Sequence, residues 1–88
     1  LDLQYQVSLL ELVRKLVHED KLAVLIALHD LNLAARYADR VALMVAGRIK
    51  AVGSPREVLT AELISESYCW PVDVVEHPLA GGPLVLAK

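Results

Sequence analysis

A histidine and an aspartate, His29-Asp30, stand where an apolar run ends, and they are the residues of this sequence best suited to chemistry. An imidazole can donate or accept a hydrogen bond and changes charge near neutral pH, so it can contact an anionic group or move a proton. The first polar residue after a buried strand also lies where ligands bind to open parallel sheets. Position alone leaves a simple hydrogen-bonded loop histidine as the commoner explanation.

The elements that must position His29 predict an α/β fold with a small, mainly parallel sheet. Leu22–Leu28 has no charge and no alternation, as expected for a strand covered on both faces. Leu31–Ala38 has the pattern of a short helix, and Val41–Ala46 is a second apolar strand. This order favours a right-handed crossover with the two strands parallel. A helix that Asp2 could cap and that runs to about Asp20 precedes them.

Two local signals follow the second strand. Ala46-Gly47 is a turn before an alternating segment, which predicts a hairpin. Ser54 is then a helix cap, Pro55 occupies the first helical position, and Glu57 completes a capping box. These residues predict a helix start after the hairpin.

A helix and a second hairpin complete the predicted fold. Thr60 restarts or continues a helix to about Tyr68, and Val72–Glu76 turns back into Leu84–Leu86. We divide the chain into an α/β part, residues 1–53, and a helical and hairpin tail, residues 54–88, that is not independent.

Composition excludes several classes of protein. The chain is 56% hydrophobic and 23% charged, which argues against disorder. This composition is also unusually apolar for 88 residues, which suggests that a further protein segment covers part of the surface. A net charge of −2 without a basic cluster argues against nucleic-acid binding. Cys69 is the only cysteine, so no internal disulfide forms. The chain opens in the middle of a helical pattern, and we expect it to be a piece of a longer protein.

The sequence from Leu28 to Thr60 carries a specific resemblance. It includes His29-Asp30-Leu31, a helix ending in Ala38-Asp39-Arg40, and Gly53-Ser54-Pro55. It resembles the C-terminal part of the ATP-binding subunits of ABC transporters, a P-loop NTPase-type domain. The most similar subunits are those of importers of iron–siderophore, haem and cobalamin.

The resemblance implies a role for each site residue. His29 matches the switch histidine, which contacts the γ-phosphate of ATP and helps to orient the attacking water. Asp2 resembles the tail of the D-loop, which crosses the dimer interface. Asp30, Ser54 and Glu57 are then structural caps, and no metal ligand is expected in this chain.

The resemblance also implies ATP and Mg²⁺ as ligands of the full-length protein. This sequence has no GxxxxGK(S/T) phosphate loop, glutamine loop, signature sequence or acidic Walker B pair. We therefore expect the chain alone to be inactive and to bind no nucleotide. The implied partners are a second nucleotide-binding subunit, a membrane permease and, indirectly, a substrate-binding protein. The implied location is cytoplasmic, on the inner face of the membrane through the permease.

An alternative of another class remains open: a non-enzymatic interaction or dimerisation module. In either case, uncovered strand edges and apolar faces predict self-association. The final hairpin is a structural flap or a dimerisation or regulatory surface.

Three other side chains invite functional hypotheses. His18 is expected to be solvated, and His77 has no second ligand at metal spacing. Cys69 is expected to be a buried or interface thiol, since no base accompanies it. It stands where the family commonly has glycine, and a left-handed backbone there would be costly for cysteine.

Overall fold

The computed structural model describes residues 3–88, and the predicted helix cap Asp2 lies outside them. The elements in chain order are α1 (Leu3–Asp20), α2 (Leu31–Tyr37), β1 (Val41–Val45), β2 (Arg48–Gly53), α3 (Pro55–Val58), α4 (Ala61–Tyr68), β3 (Val72–Glu76) and β4 (Pro83–Ala87).

The strands form two antiparallel hairpins, and both were predicted. β1 and β2 are joined by Ala46 and Gly47, whose φ angles are 52° and 76°. Left-handed backbone at both turn positions matches the right-handed twist of the strands. β3 and β4 pair with Val74 opposite Val85. Since each turn lies directly between its strands, local sequence was sufficient to find the hairpins.

The predicted parallel sheet is wrong for the described residues. Leu22–Leu28 forms no strand, and its expected neighbour Val41–Ala46 pairs with β2 in the antiparallel sense. Leu25 is 99% exposed. A strand inside a parallel sheet needs neighbours on both sides to satisfy its N–H and C=O groups. No strand within residues 3–88 pairs with this segment, so it remains irregular and exposed.

The core lies where the two hairpins meet α3 and α4. Five buried side chains form one cluster: Leu43, Val58, Leu59, Ile64 and Val72. Burial of each large aliphatic side chain stabilises the fold by about 1.5–3 kcal/mol. The cluster takes side chains from both sides of the boundary placed after Gly53, and the division of the chain there stays a prediction.

Side-chain caps begin the two helices of the second half. Ser54 Oγ accepts a hydrogen bond from the backbone N–H of Glu57 at 3.2 Å, and Glu57 Oε1 accepts one from the N–H of Ser54 at 2.9 Å. Thr60 Oγ1 accepts a bond from the N–H of Leu63 at 3.2 Å. The chain therefore restarts a helix at Thr60 and does not continue α3.

The aromatic ring of Tyr37 and three charged side chains connect α1 to α2. The Tyr37 hydroxyl donates to Glu11 at 2.7 Å, and the guanidinium carbons of Arg14 and Arg36 lie 5.4 and 5.2 Å from the ring centroid. Partial burial, followed by the bond to Glu11, raises the pKa of the Tyr37 hydroxyl. Within residues 3–88, no helix combines the length and apolar character needed to cross a bilayer.

Candidate functional site

His29 lies in the connection between the unpaired segment and α2, and its side chain is exposed. Asp30 is the N-cap residue of α2, with φ −84° and ψ 108°. Its Oδ1 accepts hydrogen bonds from the backbone N–H groups of Asn32 at 2.9 Å and Leu33 at 3.2 Å. These bonds fix the backbone directly after His29, because they satisfy two N–H groups that the first helical turn leaves free.

The imidazole borders an open cleft of about 440 Å³ between α2, α4 and the C-terminal hairpin. Its other walls include Tyr68, Trp70 and Val72. The polar side-chain groups of this lining are the His29 imidazole, the Asn32 amide, the Tyr68 hydroxyl and the Trp70 indole N–H. The imidazole of such a site can donate a hydrogen bond to an anionic group.

Metal binding finds no support in the described part of the chain. Residues 3–88 contain no group of three His, Cys, Asp or Glu side chains placed to hold an ion. The side chain that the structure places at this position is therefore a single hydrogen-bonding imidazole, that of His29.

Asn32 connects the beginning of α2 to the final strand. Its Nδ2 donates to the carbonyl oxygen of Val85 at 3.1 Å, and its Oδ1 accepts from the N–H of Val85 at 2.7 Å. Only one orientation of the amide satisfies both bonds, so the oxygen and nitrogen positions are fixed by their partners. Sequence analysis did not single out this residue, and its being the sole asparagine in the chain was the only signal available.

Glu76 and Arg56 form a two-pronged ion pair at the end of β3. The Arg56 Nη1 and Nη2 atoms lie 2.8 and 2.6 Å from the two carboxylate oxygens, and the N–H of Gly82 donates to Oε1 at 2.9 Å. The hydrogen bonds from Arg56, and then the one from Gly82, lower the pKa of Glu76 to about 2. This pair joins α3 to the C-terminal hairpin at a place remote in sequence from His29.

The other candidate residues have structural surroundings. His18 is exposed, as predicted. His77 Nδ1 accepts hydrogen bonds from the N–H groups of Leu79 at 3.1 Å and Ala80 at 3.0 Å, so this histidine shapes the β3–β4 turn. Cys69 is exposed in this chain, so it is not a buried thiol, and its place at an interface stays a prediction.

Cys69 ends α4 in the left-handed conformation, with φ 55° and ψ 35°. Its N–H donates to the carbonyl of Ser65, and that of Trp70 donates to the same carbonyl at 3.2 Å. A cysteine therefore occupies a left-handed position that usually favours glycine, and its Cβ makes this conformation costly.

No family model matches the chain. It is 46% identical over 86 residues to a hemin import ATP-binding protein of Thermobifida fusca, which covers 98% of this chain and 30% of that protein. The protein of the same name from Nocardia farcinica is 48% identical over 86 residues, and that from Escherichia coli O157:H7 is 44% identical over 86 residues. Each match covers 98% of this chain, and 30% and 34% of the respective protein. The chain thus spans about a third of the length of these curated relatives.

The fold is similar to that of a solved structure, described as an inward-facing conformation of a metal-chelate type ABC transporter. Its superposition covers 100% of this chain and 35% of the other, with a TM-score of 0.82 and 22% sequence identity. The fold is therefore that of part of an ABC-type ATPase domain. Together with the sequence matches, it fits the C-terminal part of the ATP-binding component of an iron-chelate or haem importer, which confirms the resemblance identified from the sequence.

Proposed function

We propose that this chain serves as the C-terminal part of a nucleotide-binding subunit that couples ATP hydrolysis to import of haem or another iron chelate. The observation that carries this proposal is 46% identity, over 98% of the chain, to a protein named for hemin import. Siderophore and cobalamin complexes are the other cargoes that the sequence resemblance implies. Because the chain matches only the ATP-binding component, its own residues do not favour one cargo over another.

His29 is the residue we propose to act in the reaction. Its ring is exposed at a capped helix start, where an N–H can donate to a terminal phosphate oxygen and help to hold the attacking water. That contact exists only while the third phosphate is present, so the ring can distinguish ATP from ADP. Asp30 supports this role by holding the backbone, and Asp2 is proposed to contribute to the contact between subunits.

The other requirements of ATP hydrolysis are absent from this sequence. Without a phosphate loop there is no backbone cradle and no lysine for the phosphates, and without the acidic Walker B pair Mg²⁺ lacks its carboxylate ligand. We propose that the 88-residue chain alone is inactive and that ATP and Mg²⁺ are held by other parts of the subunit. Titration calorimetry of the chain with ATP is the direct test, and micromolar affinity would contradict this proposal.

The proposed assembly is a homodimer of nucleotide-binding subunits that contacts a membrane permease. A substrate-binding protein would be an indirect partner across the membrane. The subunit would then lie in the cytoplasm against the inner face of the membrane. The exposed apolar side chains, with Leu25 at 99%, support the existence of large contacts beyond this chain.

The sharpest test is a hybrid subunit in which this chain replaces the matching 86-residue segment of the Thermobifida fusca protein. We expect the hybrid to hydrolyse ATP and expect His29→Ala to lower kcat by roughly a hundredfold, with ATP affinity within about twofold. His18→Ala is the matched control, since that exposed histidine lies on α1. An inactive hybrid, or an active His29→Ala variant, would contradict the proposed function.

A second candidate is a non-enzymatic interaction module, and the unpaired, exposed segment Leu22–Leu28 favours it. On this hypothesis the chain associates with itself or with a partner through that segment. Light scattering of the 88-residue chain tests the self-association, because a strictly monomeric mass at high concentration would count against it.

A further inference from the structure

The amide of Asn32 binds both polar groups of a single residue on the outer edge of β4. Val85 lies opposite Val74 on β3, yet its N–H and C=O both bond to Asn32. In an antiparallel pair these two groups point to the same side of a strand, so those of Val85 face α2 and not β3. At Val85, the Asn32 amide therefore supplies the hydrogen bonds that a neighbouring strand would otherwise make with this edge.

Asn32 also belongs to the cap that follows His29. Its backbone N–H donates to Asp30 at 2.9 Å while its side chain holds Val85, 53 residues away in the sequence. His29 and Val85 line the same cleft. A single residue thus joins the connection that bears the imidazole to the hairpin that forms the opposite wall.

Other contacts of α2 do not replace this connection. On the opposite side, the helix reaches α1 through Tyr37 and its bond to Glu11, both at the surface. Leu31 and Val85 pack against the core, but apolar packing without direction permits small displacements. The paired hydrogen bonds of Asn32 are directional, and they fix the register of α2 along β4.

We infer that Asn32 is a positioning residue, through which the C-terminal hairpin sets the place of His29. The inference rests on the proposed role of His29 in ATP hydrolysis. On this inference the C-terminal hairpin, residues 72–87, helps to hold the imidazole in place. The sequence had assigned no such role to the hairpin.

The test uses the hybrid subunit and variants on both sides of the contact. Asn32→Ala is expected to lower kcat roughly tenfold while the KM for ATP stays within about twofold, because the phosphates are held elsewhere and only the ring is displaced. Val85→Pro removes the N–H that donates to Asn32 Oδ1. Proline is tolerated at such a position because the N–H faces away from the paired strand. We expect it to lower kcat similarly, with no further loss when the two changes are combined.

Tyr37→Phe is the control, because it removes a hydrogen bond of the same helix without touching the hairpin. We expect wild-type kcat from it. Rates are counted per ATP-binding site, so a loss of folded protein does not mimic a loss of turnover.

The outcomes separate the two proposals. If His29→Ala abolishes turnover while Asn32→Ala retains wild-type kcat, the inference fails and the proposed function stands. Loss of ATP binding together with kcat in Asn32→Ala would mean general structural support, and it would also overturn the inference. Full activity in His29→Ala would instead reject the proposed function on which the inference rests.

Discussion

Replacing Asn32 by aspartate converts the contact between α2 and the C-terminal hairpin into a pH-dependent one. An ionised carboxylate still accepts from the N–H of Val85, but it places an oxygen against the Val85 carbonyl, where Nδ2 now donates at 3.1 Å. A protonated carboxyl group has the shape and the donor of the amide and can restore both bonds. The variant therefore tests the hydrogen bonds separately from the size of the side chain.

The expected magnitude follows from the bonds that change. Loss of one neutral hydrogen bond costs about 1 kcal/mol, and the unsatisfied, opposed carbonyl adds at least as much, so we expect about 2 kcal/mol at neutral pH. A chain of this length has a total stability of roughly 4 to 13 kcal/mol. Because the carbonyl disfavours the ionised form in the folded state, the introduced carboxyl has a raised pKa. The destabilisation is thus complete at neutral pH and disappears only as the pH falls below the ordinary aspartate pKa of about 4.

The assay is urea unfolding of the wild type, Asn32→Asp and Asn32→Ala from about pH 3, below the ordinary aspartate pKa, to neutrality. We expect the difference between wild type and Asn32→Asp to shrink toward zero at low pH. Asn32→Ala is the matched control, since the unfolding free energy that this variant loses should not depend on pH. A constant difference for Asn32→Asp, or one below about 0.5 kcal/mol at neutral pH, would refute the proposed pairing with Val85.

Two further perturbations test other parts of the fold. Cys69→Gly should raise the free energy of unfolding by about 1 kcal/mol, since glycine adopts the left-handed backbone without strain; unchanged or lower stability in urea would contradict this. Glu76, whose pKa is lowered to about 2, stabilises the fold above its ordinary value of 4.5 and loses this effect as the pH falls toward 2. A carboxyl NMR titration should show the low value, which Arg56→Gln raises and Arg48→Gln leaves unchanged; an ordinary Glu76 titration in the wild type would disprove the pairing.

What could be predicted from the sequence was set by the distance between the interacting residues. The cap at Ser54 and the turn at Ala46-Gly47 were found because their partners lie within a few positions. The strand predicted for Leu22–Leu28 was wrong because strand formation depends on neighbours that the pattern of one segment does not reveal. The pairing of Asn32 with Val85 was out of reach for the same reason, since no local rule links residues 53 apart.

The family could be recognised although the sheet was predicted wrongly. Recognition of a family requires only the identities of residues along the chain, whereas sheet formation also depends on contacts between distant segments. The motif around His29-Asp30 is a run of adjacent residues, and the matches to named relatives confirm the family it predicted. The proposed role of the His29 ring depends on a bound phosphate, which the identity of neighbouring residues does not reveal. Residue identity was therefore enough for the family, while the action of His29 stays a prediction.

The cleft beside His29 contains an intrinsic fluorescence probe, the side chain of Trp70. Trp70 is the sole tryptophan, is 58% exposed, and lines the same depression as the imidazole. The wavelength of its fluorescence emission depends on the polarity inside the cleft. Binding of another polypeptide surface in the cleft can therefore be monitored by tryptophan fluorescence without attaching a dye. In any longer protein that includes this chain, other tryptophans would have to be replaced before the signal could be assigned to this position.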